Sequence, residues 1–198
     1  MDPDFDLDLD AAVDAIADGE CVVYPTETVY GLGADARSPD AVGRVFDLKG
    51  RSRDKPVSLG VPSVDAAREY TRPTEREVAF MREFLPGPVT VVVERRESVP
   101  DVLTAGRDRV GVRVPDHDVA LELLERAEVP LTATSANRSG QGSARVVGDV
   151  DPAIREACVV LDAGETGGAE STVVDVSSGE IHRSGALAGD VEAWLDVH

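Results

Sequence analysis

The chain is nearly without lysine. Two of its 198 residues are lysine, Lys49 and Lys55, and the other 18 cations are arginine. Aromatic residues make up 4% of it, so Val, Leu and Ala must fill any core. Cysteine is scarce too. Cys21 and Cys158 stand far apart, with no CxxC and no Cys/His spacing for zinc. They read as two reduced, buried thiols of a cytoplasmic protein rather than as one disulfide. No apolar run reaches membrane-spanning length. The acidic start MDPDFDLDLD excludes a signal or transit peptide. There is no GxxxxGK[ST] phosphate loop, and GLGADA lacks the third glycine of a dinucleotide fingerprint. No nucleophile elbow and no metal-ligand cluster is present. The three histidines, His117, His182 and His198, each read as structural. Any chemistry must then come from holding anions in place, not from covalent attack.

Acid is abundant. Asp and Glu number 38 against 20 Lys and Arg, a formal charge of −18. A 42% hydrophobic content makes the chain globular, and its length fits one α/β domain over 1–198. So acidic a surface repels nucleic acid and anionic membranes. It reads as the surface of a protein from a high-salt habitat, where such repulsion is screened. Against that background KGRSRDKPVSLG (49–60) is an anomaly, with four cations and one Asp within its first seven residues. Read blandly it is a solvated loop. In a chain otherwise stripped of lysine it reads instead as an anion grip, since lysine is a compact charge suited to phosphate and arginine a planar fork.

The periodicities predict helices over 8–18, 38–50, 74–84, 117–127 and 190–197. Ser38, Pro39 and Gly50 mark the ends of the second, and Thr74 with Glu77 forms a capping box on the third. Strands are expected at 21–25, 56–61, 86–94, 108–115, 130–137, 157–164, 170–179 and 180–185. PTETVYGLGADA (25–36) reads as a loop running into a short helical turn. The mixture lacks a strict βαβ rhythm, so a twisted, mixed, open sheet flanked by helices fits best.

Four stretches set polar residues at strand ends. Thr26 and Thr28 in YPTETVYGLG either cap a helix or offer hydroxyls to an anion. The basic stretch is the second. In TATSANRSG, Ser135 and Asn137 would point the same way in an extended segment, and suit either a turn or a small polar ligand. Ser171, Thr172 and Arg183 end a hairpin.

Six motifs, in order, resemble the YrdC/YciO-type family, and within it the threonylcarbamoyl-AMP synthases. They are YPTETVYGLGADA (24–36), KGRSRDKPVSL (49–59), PGPVTVVV (86–93), VGVRVPDH (110–117), TSANRSGQGS (134–143) and ESTVVDVSSGEIHRSGAL (170–187). The match covers about residues 10–187. The resemblance implies a YrdC-like fold with a deep concave cleft. It implies the reaction of ATP, L-threonine and bicarbonate to threonylcarbamoyl-AMP and pyrophosphate, with Mg2+ bridging the triphosphate and other proteins passing the product to tRNA. By the same resemblance Lys49, Arg51, Ser135 and Asn137 form the catalytic signature. Arg51, Lys55, Asn137 and Arg183 fall on the ATP side, and Thr28, Arg113, Ser135 and Ser171 on the threonine side.

The chain departs from the family pattern at Gly60, where a histidine is frequent near the threonine, and at Arg109, where Thr or Ser is. Arg145 replaces a frequent threonine and Lys55 a common asparagine. Two alternatives stay open. One is a double-stranded RNA-binding module with weak contact through the basic stretch. The other is a YciO-like paralogue with another substrate.

Overall fold

The computed structural model describes residues 8–198. The opening seven residues, on which the reading of the acidic start partly rests, lie outside it. Helix α1 (Leu9–Ala17) leads into a hairpin of β1 (Val22–Tyr24) and β2 (Gly31–Gly33), then α2 (Pro39–Lys49). Strand β3 (Ser58–Gly60), the short α3 (Val64–Ala67) and α4 (Glu75–Phe84) follow. Next come β4 (Val89–Glu94), α5 (Asp101–Thr104), β5 (Arg109–Arg113), α6 (Asp118–Ala127) and β6 (Leu131–Ser135). A 3-10 turn (Val147–Asp149), α7 (Pro152–Ala157), β7 (Val159–Val160), β8 (Thr172–Asp175), β9 (Glu180–Arg183) and α8 (Ala188–Val197) complete the chain.

The local signals act as their chemistry requires. Ser38 accepts from Ala41 N, Pro39 opens α2, and Gly50 closes it in the left-handed region at φ 55°. Thr74 and Glu77 exchange both capping-box bonds on α4. The expected helical turn within 25–36 is instead strand β2, paired antiparallel with β1 from Val22↔Gly33 to Tyr24↔Gly31. Its Gly-Leu-Gly sequence carries no strand periodicity. Cross-strand packing fixes it, because a Cβ at Gly31 would meet the Tyr24 ring at 2.8 Å. The strand expected at 157–164 shortens to two residues.

Among the described residues nine strands join one mixed sheet in the order β7-β1-β2-β6-β3-β5-β4-β8-β9. Cys21 and Cys158 are both free, Cys21 buried and Cys158 half-buried. They stand one residue before the parallel pair Val22↔Val159.

Helices cover most of both sheet faces. Phe80 and Met81 of α4 and Val191 of α8 pack on Val89, Val91, Val112 and Val174. Helices α2 and α7 pack on β1 and β2, and α1 and α6 cover the other side of that hairpin. Val42 and Phe46 of α2 reach Leu59 and Val110. Strand alternation then turns Ser58, Thr90, Val92, Arg109, Gly111, Arg113, Ala133, Ser135, Val173 and Asp175 to a part of the opposite face that no helix of the described residues covers. These small and polar residues floor a cleft of about 940 Å³.

Two glycines, Gly111 on this floor and Gly60 beside it, differ in kind. At Gly111 a Cβ would collide with the Ser58 hydroxyl and lie 2.9 Å from Thr90 Cγ2. Gly60, paired with Arg113 and Leu131, has ordinary contact distances of 3.6 Å to Ala133 and 3.7 Å to Leu124. Gly111→Ala is therefore expected to cost about 1–3 kcal/mol by overpacking and to narrow the cleft. Gly60→Ala should stay within about 1 kcal/mol. Chemical denaturation of the two variants checks the contrast, and equal losses would contradict it.

Candidate active site

Three groups of side chains converge on the cleft. The first is cationic. Arg51 follows the left-handed Gly50, so the chain turns out of the helix and its guanidinium enters the cleft. Its Nε donates to Lys55 O (3.0 Å) and its Nη2 to Pro56 O (2.9 Å). Burial and the nearby charge of Arg183 lower the Arg51 pKa. Arg51, Lys55, Arg107 and Arg183 all line this side, which suits a polyanion.

The second group is Arg113 and Thr28. Arg113 Nη2 donates to Glu27 Oε1 (2.8 Å) and Thr28 Oγ1 (2.9 Å). The third is Ser171. Its hydroxyl accepts from Arg183 Nη2 (2.8 Å), lies 3.3 Å from Thr90 Oγ1, and its carbonyl accepts from Arg183 Nε (3.0 Å). Glu170 sits 3.5 Å from Arg183 Nη1 and accepts from the Ser143 hydroxyl at 2.9 Å.

Two expected contact residues lie behind the cleft wall instead. Lys49 is 2% exposed and does not line the cleft. Its Nζ donates to the carbonyls of Ser135 and Asn137, the latter at 2.8 Å. Its own carbonyl accepts from Ser139 N (2.8 Å). Lys49 thus falls on the buried side of α2's last turn, where a reading of charge alone put it with Arg51. Asn137 is buried as well. Its Nδ2 donates to Arg138 O and Gln141 O, both at 2.8 Å, and its Oδ1 is buried without a partner. The expectation that Ser135 and Asn137 face the same way fails because β6 ends at Ser135, and the alternation ends with it. Ser135 lines the cleft; Asn137 shapes the turn beyond it.

Sequence reading also passed over residues that the structure brings to the floor. Arg109, treated only as a departure, donates to Glu77 (2.7 Å), Val92 O (2.7 Å) and Asp175 (3.1 Å). Hydrogen bonds from Ser177 and Ser178, with the Arg109 charge, outweigh burial and hold the Asp175 carboxyl below its ordinary range. Thr90 and Asp175 had a readable signal, since each is the polar residue at an alternate position of an apolar strand. Glu27 had none, because only folding brings it to Arg113. Of the other departures, Arg145 pairs with Glu165 at 2.7 Å, and Gly60 is buried beside Arg113 without lining the cleft.

Fold and cleft together define an α/β protein with a concave, cation-lined ligand site on an uncovered sheet face. The chain belongs to the Sua5/YciO/YrdC family, whose profile, described as "Telomere recombination", matches residues 14–185. It is similar to the threonylcarbamoyl-AMP synthase of Pyrococcus abyssi, at 41% identity over 165 residues, 82% of this chain and 48% of that protein. It is also similar to the synthase of Xanthomonas axonopodis, at 37% over 182 residues, 89% of this chain and 97% of that one. The chain thus spans about half the length of the first relative and nearly all of the second. Among solved structures, P. abyssi Sua5 complexed with L-threonine superposes with a TM-score of 0.85 at 37% identity, over 94% of this chain and 56% of that one. Escherichia coli YciO shares the fold at a TM-score of 0.78 and 22% identity, over 90% and 89% of the two chains.

Burial, and then the charge of Arg51, lower the Lys49 pKa to about 8. The unfolded chain keeps the ordinary value of 10.5. Between the two, the unfolded chain holds the proton and the folded chain does not, so stability rises with pH across this window. Below it the buried charge costs roughly 3 kcal/mol. Denaturation at pH 8 and pH 10 is expected to show wild type gaining about 1–3 kcal/mol relative to Lys49→Met. No relative gain would show that Lys49 carries no such cost.

Proposed function

We propose that the chain is an L-threonylcarbamoyladenylate synthase. The observation that carries this is the meeting in one cleft of an amino-acid-sized corner, Arg113 with Thr28, and a polyanion-sized cluster, Arg51, Lys55 and Arg183. Ser135 and Ser171 line the space shared by the two. ATP would lay its phosphates on the cationic side and L-threonine its carboxylate on Arg113. Any Mg2+ would enter on the triphosphate as part of that substrate. The threonine amine captures CO2 from bicarbonate as a carbamate. A carbamate oxygen then attacks the α-phosphorus, and the bond to pyrophosphate breaks as the new P–O bond forms. No side chain forms a covalent bond to substrate. The protein supplies orientation and fixed positive charge where negative charge gathers.

Lys49 and Asn137 act in this scheme as positioning residues. They fix the turn that carries Ser135, while Arg51 meets the nucleotide. The product would pass to other proteins that place the threonylcarbamoyl group on tRNA. Identities of 37–41% to synthases, against 22% to YciO, favour this reading over the paralogue. The charge of −18 opposes general RNA binding.

The test is pyrophosphate release at molar KCl with Mg2+. Release is expected only with ATP, L-threonine and bicarbonate together. Arg51→Ala should lower it about 100-fold or more while folding stays intact. Release without threonine, or none with all three substrates, would overturn the reading.

A further inference from the structure

The corner at Arg113 can be read proton by proton. Thr26 Oγ1 donates its only proton to Val29 O at 2.7 Å. It also accepts from the backbone N–H groups of Thr28 and Val29, both at 3.2 Å. With that proton on Val29 O, the 2.9 Å contact between the Thr26 and Thr28 hydroxyls is assigned as a donation from Thr28 to Thr26, the two longer N–H contacts sharing the remaining lone pair of Thr26. Thr28 Oγ1 already accepts from Arg113 Nη2. It therefore meets a ligand with one free lone pair and no proton, as an acceptor only.

Arg113 is committed in the opposite sense. Both Nη2 protons are engaged, one by Thr28 and one by Glu27 Oε1 at 2.8 Å. Its Nε and Nη1 have no protein partner among the described residues, so three N–H donors remain for a ligand. Glu27 keeps its second oxygen buried and unpaired. That arrangement is costly, and its return is a fixed guanidinium.

We propose that Thr26 and Glu27 are positioning residues that give this corner its polarity. Glu27 holds Arg113 so that its free N–H groups can meet a carboxylate, and Thr26, by accepting the Thr28 proton, leaves Thr28 an acceptor for an amino group. The corner then reads an α-amino acid by its two charged ends rather than by its side chain. This rests on the threonine-binding reading above and adds which residues set the direction of each hydrogen bond.

The test crosses variants with half-ligands by ligand-observed NMR titration. (R)-3-hydroxybutyrate is threonine without its amine, and (R)-1-amino-2-propanol is threonine without its carboxylate. Thr26→Val is expected to weaken L-threonine and the amino alcohol by about three- to tenfold, the scale of one hydrogen bond, and to leave the hydroxy acid within about twofold. Glu27→Ala is expected to do the reverse, weakening L-threonine and the hydroxy acid. Thr26→Ser and Glu27→Gln, which keep the hydroxyl and the acceptor, should restore most of the loss. If Thr26→Val does not fold, the Glu27 arm carries the test alone. Equal weakening of both half-ligands by either variant, or no weakening, would overturn the proposal. If wild type does not bind L-threonine, the amino-acid reading itself fails and this proposal falls with it. Wild-type binding with unaltered variants overturns this proposal alone.

Discussion

One buried ammonium ties the candidate site together. Lys49 ends α2, and its two hydrogen bonds run to carbonyls at the end of β6 and just past it rather than to a carboxylate. As the first residue of the basic stretch it joins that stretch to the end of β6 at Ser135 and to the turn at Asn137. An ammonium without a counter-charge is a poor choice for stability, and a neutral residue of similar length would avoid its desolvation. Its presence in a chain with one other lysine fits a position held for geometry. Carbonyls bound to a charged donor are held more tightly than in a neutral pair.

The rest of the cleft follows from what the sheet leaves uncovered. Helices bury the valine faces of β4, β5 and β8, and alternation sends the intervening residues to the other side. Gly111 and Ala133 keep that surface deep, while Ser58 and Thr90 keep it polar. Arg109, bound to Glu77 and Asp175, pins helix α4 and the β8–β9 turn to the same floor. Arg51, Lys55, Arg107 and Arg183 line the cleft, where they are available to a ligand.

Much of this was legible in the sequence, and the failures have physical causes. The ends of α2 and α4 could be read because caps are local, a matter of Ser38, Gly50, Thr74 and Glu77 satisfying nearby backbone groups. The motif resemblance picked out Thr28, Arg51, Lys55, Arg113, Ser135, Ser171 and Arg183, all of which line the cleft. It could not say that Lys49 and Asn137 face away from it, because the direction of a side chain at a helix end or past a strand end depends on packing elsewhere. Strand β2 was missed for the same reason. Gly31 and Gly33 carry no pattern of their own and become a strand only when Tyr24 lies across them. Glu27 was invisible, since its role depends on an arginine 86 positions away.

The central claim is that Lys49 works through the Ser135–Asn137 turn and not on the substrate. A crystal structure of the protein with L-threonine and a non-hydrolysable ATP analogue tests it most directly. The account predicts phosphates on Arg51 and Arg183, the amino acid on Arg113 and Thr28, and Lys49 Nζ still on its two carbonyls. A Lys49 side chain swung out to a phosphate oxygen, with the turn released, would contradict it.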